Sequence, residues 1–329
     1  MTNNTAGRLL FAAAVCTLGA IGTLALVADD TPDIVMAPLS LLDEPPAVPA
    51  QQVGSGTHWA ELDEFQTLKD LGHEWNITTV NPDDRPGWDK IFNAAQDAGI
   101  KLIVGMYPEP YKLEKNGWAI SPTGREFLRY AEARSALVKA IFVYNEPYWI
   151  DPFKRKGNLC GALSAAELRD LRTEIRGIWP EAKIYQDIGE PSAWAPGGYL
   201  TTWTECIEDR FADQTEVADY VGIWRYRFNL YEEYDFRGQL AVMRKEVDFV
   251  RDRMGAEPIV CAQSFQCDSC DGEAGRFPTP EEFRDWQCAL RGIGAEAVSF
   301  YPWRMSMYQQ NIGDKPEYWP LTTSQACGL

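Results

Sequence analysis

Leu137-Val138-Lys139-Ala140-Ile141-Phe142-Val143-Tyr144-Asn145 decides the fold, and Glu146-Pro147-Tyr148-Trp149 comes directly after it. The run is almost continuously apolar, as a strand covered on both faces requires. Such strands belong to parallel sheets, which need crossover helices. The flanks supply them. Upstream, residues 121–134 read as a helix with Pro122 in the first turn, where a missing N–H costs nothing. Downstream, Ser164 and Glu167 form a capping box for a helix running to about residue 178.

The same alternation extends both ways. Before the central run come a helix over 62–71, a strand over 75–81, a helix over 87–98 closed by Gly99, and a strand over 100–107. After it come strands over 183–188 and 219–226, a helix over 236–254, and a strand over 258–265. A helix over 280–292 capped by Thr279 and a strand over 297–303 complete the series. These are seven clear strands; an eighth, weaker one falls around 53–59. Eight strands close a barrel, whereas seven leave an open doubly wound sheet. No Gly-rich dinucleotide or phosphate fingerprint stands after any strand, which counts against the open sheet. The expected fold is α/β, a single (β/α)8 TIM barrel over 53–329.

An N-terminal hydrophobic helix and a tether are expected to precede the barrel. Residues 9–28 carry no charge and come after Arg8, so 1–28 reads as a signal peptide or membrane anchor. A cut after Ala28 would place Leu26 at −3, a poor cleavage residue, so the reading leans to a single-pass anchor with Arg8 inside. Residues 29–52, with Pro32, Pro38, Pro45, Pro46 and Pro49, read as an extended tether. The barrel would then lie outside the cytoplasm, secreted or tethered.

Composition narrows the function classes. The 329 residues are 45% hydrophobic and 24% charged, as in a soluble globular protein. A net charge of −17 repels nucleic-acid phosphates, so no nucleic-acid partner is expected. His58 and His73 are the whole histidine complement, which argues against a His-rich metal site and a Ser-His-Asp triad. Acid–base chemistry falls to carboxylates. No metal and no organic cofactor are implied; Asp83-Asp84 reads as a solvated turn. Twelve Trp serve either as core filler or as rings that stack on sugars.

Outside the first run there are seven cysteines. Cys261, in an apolar strand, reads as a buried free thiol. Cys267-Asp-Ser-Cys270 reads as a disulfide or loop staple rather than half a zinc site. Cys160 and Cys206 could bridge, and the pairing of Cys288 and Cys327 stays open.

Barrel active sites lie at the C-terminal strand ends. There stand Tyr107 and Glu109, then Tyr144, Asn145, Glu146 and Trp149, then Asp187 and Glu190. Trp224 and Tyr226, Gln263, and Tyr301 with Trp303 complete the set. Carboxylates for proton transfer, amides for hydroxyls and flat rings make a sugar cleft, with an oligo- or polysaccharide as partner.

Tyr144-Asn145-Glu146-Pro147 at the end of a fourth strand resembles the Asn-Glu-Pro signature of clan A retaining glycoside hydrolases. The resemblance covers roughly residues 53–310. It implies a glycosidase with Glu146 as general acid/base and Asn145 bonded to a sugar hydroxyl. It further implies Tyr226 as a residue orienting the nucleophile and Trp303 as the floor of a sugar subsite. The chain departs from the pattern at strand seven, where the position of the nucleophilic Glu holds Gln263. An amide cannot form a glycosyl ester. Either the second carboxylate comes from elsewhere (Asp187, Glu190, Glu109 or Asp84), or the substrate assists its own hydrolysis, or the barrel binds glycans without cutting them. A separate reading makes the chain an anchored envelope scaffold.

Overall fold

The computed structural model describes residues 53–114, 117–144, 165–188, 216–225, 236–266, 276–304 and 310–329. Eight parallel strands close into a barrel. They are β1 (Gly54–His58), β2 (Trp75–Val80), β3 (Lys101–Met106), β4 (Val138–Tyr144), β5 (Ile184–Ile188), β6 (Tyr220–Arg225), β7 (Glu257–Gln263) and β8 (Ala297–Tyr301). The weak first strand is real, and it closes the ring. It pairs with β8 from Gly54↔Ala297 to Thr57↔Phe300 and with β2 from Gly56↔Trp75 to His58↔Ile77.

Packing explains why β1 has so faint an apolar signal. A Cβ on Gly56 would stand 2.2 Å from the Trp75 ring, so the indole of β2 fills the space a β1 side chain would take. The remaining strands alternate as barrel strands must. Trp75, Ile77, Ile103, Ala140, Phe142, Tyr185, Ile259 and Ala297 form an interior cluster. Leu102, Val104, Ile141, Val221, Val260, Val298 and Phe300 face outwards into the helix layer.

That layer holds, among the described residues, α1 (Phe65–Asp70), α2 (Arg85–Ala98), α3 (Pro122–Glu132), α4 (Ala165–Arg176), α5 (Phe236–Asp252) and α6 (Pro280–Arg291). The start and stop signals act locally. The Gly124 N–H donates to Ser121 Oγ at 3.0 Å. Gly99 ends α2 with a left-handed φ of 68°. Thr279 and Glu282 exchange both bonds of a capping box. Arg276 grips the same Glu282 at 2.6 Å, and its hydrogen bonds hold the carboxyl down at about 2.

Three elements escaped the sequence reading. An antiparallel ribbon joins Tyr111–Glu114 to Gly117–Ile120. Phe265–Gln266 pairs with Gln310–Asn311. The tail after β8 folds as 3-10 turns over Ile312–Asp314, Pro316–Thr322 and Ser324–Cys327.

This tail is fastened where β1 meets β8. A disulfide joins Cys288 on α6 to Cys327. Arg291, 1% exposed, donates to Gln287 Oε1 and Thr322 O at 2.8 Å each and to Val53 O at 3.5 Å. His73 spans the same layer, with Nδ1 2.9 Å from Ser55 Oγ and Nε2 3.0 Å from Thr322 Oγ1. Cys261 is a buried free thiol, as its strand context implied. Cys160, Cys206, Cys267 and Cys270 lie outside the described residues, as do the apolar run, the tether and Ser164. No helix among the described residues is long and apolar enough to cross a membrane.

At the N-terminal end of the barrel, Asp219 joins α4, β5 and β6. Its carboxylate accepts from Arg172 at 3.0 Å, Arg176 at 3.3 Å, Lys183 at 3.5 Å and the Ile184 N–H at 2.8 Å. Isolated surface pairs contribute little, but this carboxylate is largely buried and serves four donors. Asp219→Ala is expected to cost roughly 2–3 kcal/mol in urea unfolding. A loss below about 0.5 kcal/mol, the range of an ordinary surface change, would mean the cluster is decoration.

Candidate active site

The upper barrel interior is built from inward-facing residues of five strands. β1 contributes His58, β5 Tyr185 and Asp187, β6 Trp224, β7 Cys261 and Gln263, and β8 Ser299 and Tyr301. All are buried. The centre of this layer is Asp187. Its Oδ1 accepts the Trp224 Nε1–H at 2.8 Å and also the Tyr185 hydroxyl. Gly222 makes the arrangement possible, since a Cβ there would lie 2.2 Å from both Asp187 Oδ1 and the Tyr185 oxygen. Burial, with the Asp187 charge adding to it, pushes the Tyr185 phenol well above 10.

A second chain of polar groups crosses the floor. The Ser299 hydroxyl donates to Cys261 Sγ at 3.0 Å. The same hydroxyl lies 3.0 Å from His58 Nε2, and Cys261 Sγ lies 3.7 Å from that nitrogen. Burial lowers His58 to about 3 and pushes the Cys261 thiol well up. Both shifts oppose a thiolate–imidazolium pair, so this Cys–His contact is structural and not a nucleophile.

Above the polar layer lie rings. Trp224 and Tyr301 have centroids 4.0 Å apart, Trp59 lies 5.1 Å from Tyr301, and Phe265 lies 6.0 Å from it. Trp224, Tyr301 and Phe265 are buried, while Trp59 and Tyr107 are only partly covered. Gln263 is buried at the end of β7, and its amide donates to Phe265 O at 3.0 Å.

The structure thus brings Asp187, Trp224 and Gln263 together and puts Tyr107 on the rim. Of Tyr144 only the backbone is described, as the last residue of β4. Asn145, Glu146, Trp149, Glu190 and Tyr226 lie outside the described residues. Trp303 is placed elsewhere. Its ring is fully buried in the helix-side layer, 5.7 Å from both His73 and Trp319, so it does not floor the mouth. The strand ends at Tyr301, and alternation no longer governs the residues beyond it. The Trp303 peptide is instead held by His58 O at 2.8 Å and by the Gly313 N–H at 2.7 Å.

The alternative carboxylates also separate. Asp84 is occupied as the N-cap of α2, accepting from the Gly87 N–H at 3.1 Å. Glu109 stands exposed on the rim after β3, yet enough protein surrounds it that desolvation raises its carboxyl pKa, against the pull of its own backbone N–H. Sequence reasoning gave no role to His58 or Trp59. His58 ends the strand with the faintest apolar signal and Trp59 follows it, and the left-handed φ of 56° at Trp59 has no mark in the sequence.

Solved structures match this barrel. One is a "Glycoside hydrolase-like protein", with TM-score 0.57, 11% identity, and coverage of 86% of this chain and 96% of that one. A second is the GH99 endo-alpha-mannosidase from Bacteroides thetaiotaomicron, with TM-score 0.51, 12% identity and coverage of 82% and 79%. A third is the beta-galactosidase from the psychrophilic Marinomonas ef1, with TM-score 0.51, 10% identity and coverage of 83% and 59%. The chain shares its fold with glycoside hydrolases. No protein-family model matches the sequence, and no curated protein matches it. At these identities the likeness concerns the fold alone, because one barrel hosts many chemistries.

Proposed function

We propose that this barrel is a glycoside hydrolase acting on an extracellular or cell-envelope glycan, with Glu146 as general acid/base. The observation that carries the reading is the layered mouth: rings at Trp59, Trp224 and Tyr301 above an oriented, buried Asp187. Trp59, partly open above the buried Trp224 and Tyr301, suits an apolar sugar face, and the glycoside-hydrolase-like fold supports the same assignment.

In this reading Glu146, at the end of the fourth strand, protonates the leaving glycosidic oxygen. An aromatic, poorly hydrated surround keeps such an acid protonated near neutral pH. Asn145 bonds a hydroxyl beside the reacting carbon, Tyr144 and Trp149 contact the sugar, and Tyr226 orients the nucleophile. Asp187 is enclosed beneath Trp224, so its part is to hold that indole and the Tyr185 phenol in place. Glu190 is then the candidate second carboxylate. A separation from Glu146 of roughly 5–5.5 Å makes it a nucleophile, and roughly 6.5–9.5 Å makes it a base for water. The chain works outside the cytoplasm, either secreted or held by the 1–28 segment and the 29–52 tether; the Cys288–Cys327 disulfide suits an oxidising compartment.

The test is hydrolysis of aryl glycosides and envelope polysaccharides by wild type beside Glu146→Gln. Losing the general acid is expected to lower kcat/KM about 10²–10⁴-fold. An active Glu146→Gln protein would remove Glu146 from the chemistry. A second reading, a glycan-binding barrel without turnover, draws on Gln263, whose buried amide is committed to Phe265 O where a nucleophile would stand. It predicts sugar binding and no product with either protein. The scaffold reading needs a broad apolar surface; among the described residues the exposed large apolar side chains are Leu62, Leu113 and Leu329.

A further inference from the structure

His58 faces the barrel interior, so an extended residue after it would turn its side chain out towards the helices. Trp59 does the opposite. Its φ of 56° lies in the left-handed region, which bulky L-residues rarely adopt. That rotation swings the indole back over the mouth, 6.3 Å from the His58 ring and 5.1 Å from Tyr301, both of them interior groups. The Trp59 N–H is bonded to Ile77 O at 2.8 Å, so β2 holds the conformation.

Exposure around the rim is uneven. Across β6, β7 and β8 the mouth residues Trp224, Gln263 and Tyr301 are buried. Across β1, β2 and β3, Trp59, Thr79 and Tyr107 each keep part of their surface open, and Glu109 stands exposed beside them. Among the described residues the accessible arc of the mouth is therefore the β1–β3 side. A flat ring held there at a backbone cost fits a ligand with an apolar face and a polar edge, which is the shape of a pyranose.

We propose that Trp59 is the stacking platform for one sugar ring of the glycan, which lies over the β1–β3 side of the mouth. This rests on the glycoside-hydrolase reading and adds to it where the substrate sits. Trp59 binds and positions the sugar, so removing the ring weakens binding and raises KM while kcat at saturation stays close to that of wild type.

The experiment uses the full chain carrying Glu146→Gln, titrated by calorimetry with mannotetraose, cellotetraose, laminaritetraose and chitotetraose. Trp59→Ala, Trp59→Leu and Trp59→Tyr are then added singly, with thermal melting of each. At least about tenfold weaker binding is expected for alanine and for leucine, which keeps apolar bulk without a flat face. Tyrosine, which keeps a ring, should stay within about threefold of the parent. Unchanged affinity in the leucine protein would overturn the platform and leave the hydrolase reading standing. Absence of binding to every sugar by every protein, together with absence of turnover by wild type, would overturn both.

Discussion

Arg291→Ala is expected to lower the unfolding free energy by roughly 4 kcal/mol. The guanidinium is buried at the seam of the barrel and bound by three neutral oxygens: Gln287 Oε1, Thr322 O and Val53 O. Burial brings its pKa down to about 10, so it remains a cation at neutral pH. Alanine strands these acceptors without donors and leaves the volume of the side chain empty. Each unsatisfied buried acceptor costs about 1–3 kcal/mol, and a cavity adds to that. Arg291→Lys keeps the charge but cannot fork towards three oxygens, so an intermediate loss is expected. Urea unfolding of the three proteins checks the order. A loss under about 1 kcal/mol for alanine would show that the tail does not depend on this residue.

The second large effect is acid lability. His58 and His73 each have a folded-state pKa of about 3, lowered by burial, with the Arg291 charge contributing at His73. In the unfolded chain each returns to about 6.5. Between those values the unfolded state binds more protons, so stability rises with pH and falls as pH drops below about 6.5. Each histidine changes stability by about 1.4 kcal/mol per pH unit in that window, or roughly 5 kcal/mol for the pair between pH 7 and 4.5. Glu282, held down at about 2, adds a further loss in the same direction at lower pH. The melting temperature should therefore fall steeply from about pH 6.5 downward, and His73→Gln should flatten the slope by about half. A melting temperature level between about pH 7 and 5 would contradict this account.

How far the sequence could be read depends on which force shaped each element. Strands β2 to β8 announce themselves because both faces are buried and their residues are correspondingly apolar. β1 does not, because Gly56 cedes its interior volume to Trp75. The Tyr111–Glu114 ribbon strand stayed hidden for a different reason: Lys112, Leu113 and Glu114 are all exposed, so no alternation marks it. At the mouth, counting along strands put Asp187, Trp224 and Gln263 on the interior face, where the structure has them, since parity holds inside a ladder. It failed at Trp303, beyond the last ladder bond, and at Trp59, where one backbone rotation reverses the direction of a side chain. The disulfide partner of Cys288 was equally out of reach, because pairing depends on how the tail lies across α6.

The seam has a topological consequence. One guanidinium touches the carbonyl of Val53, just before the first strand, and that of Thr322, in the closing tail. The described domain begins and finishes at neighbouring points on its circumference, so the wall is a ring of strands in which chain order is nearly arbitrary. Joined there by a short linker and opened at an exposed connection elsewhere, the circle would keep every strand beside its present neighbours. Which strand comes first in the ring is thus a property of the message rather than of the architecture.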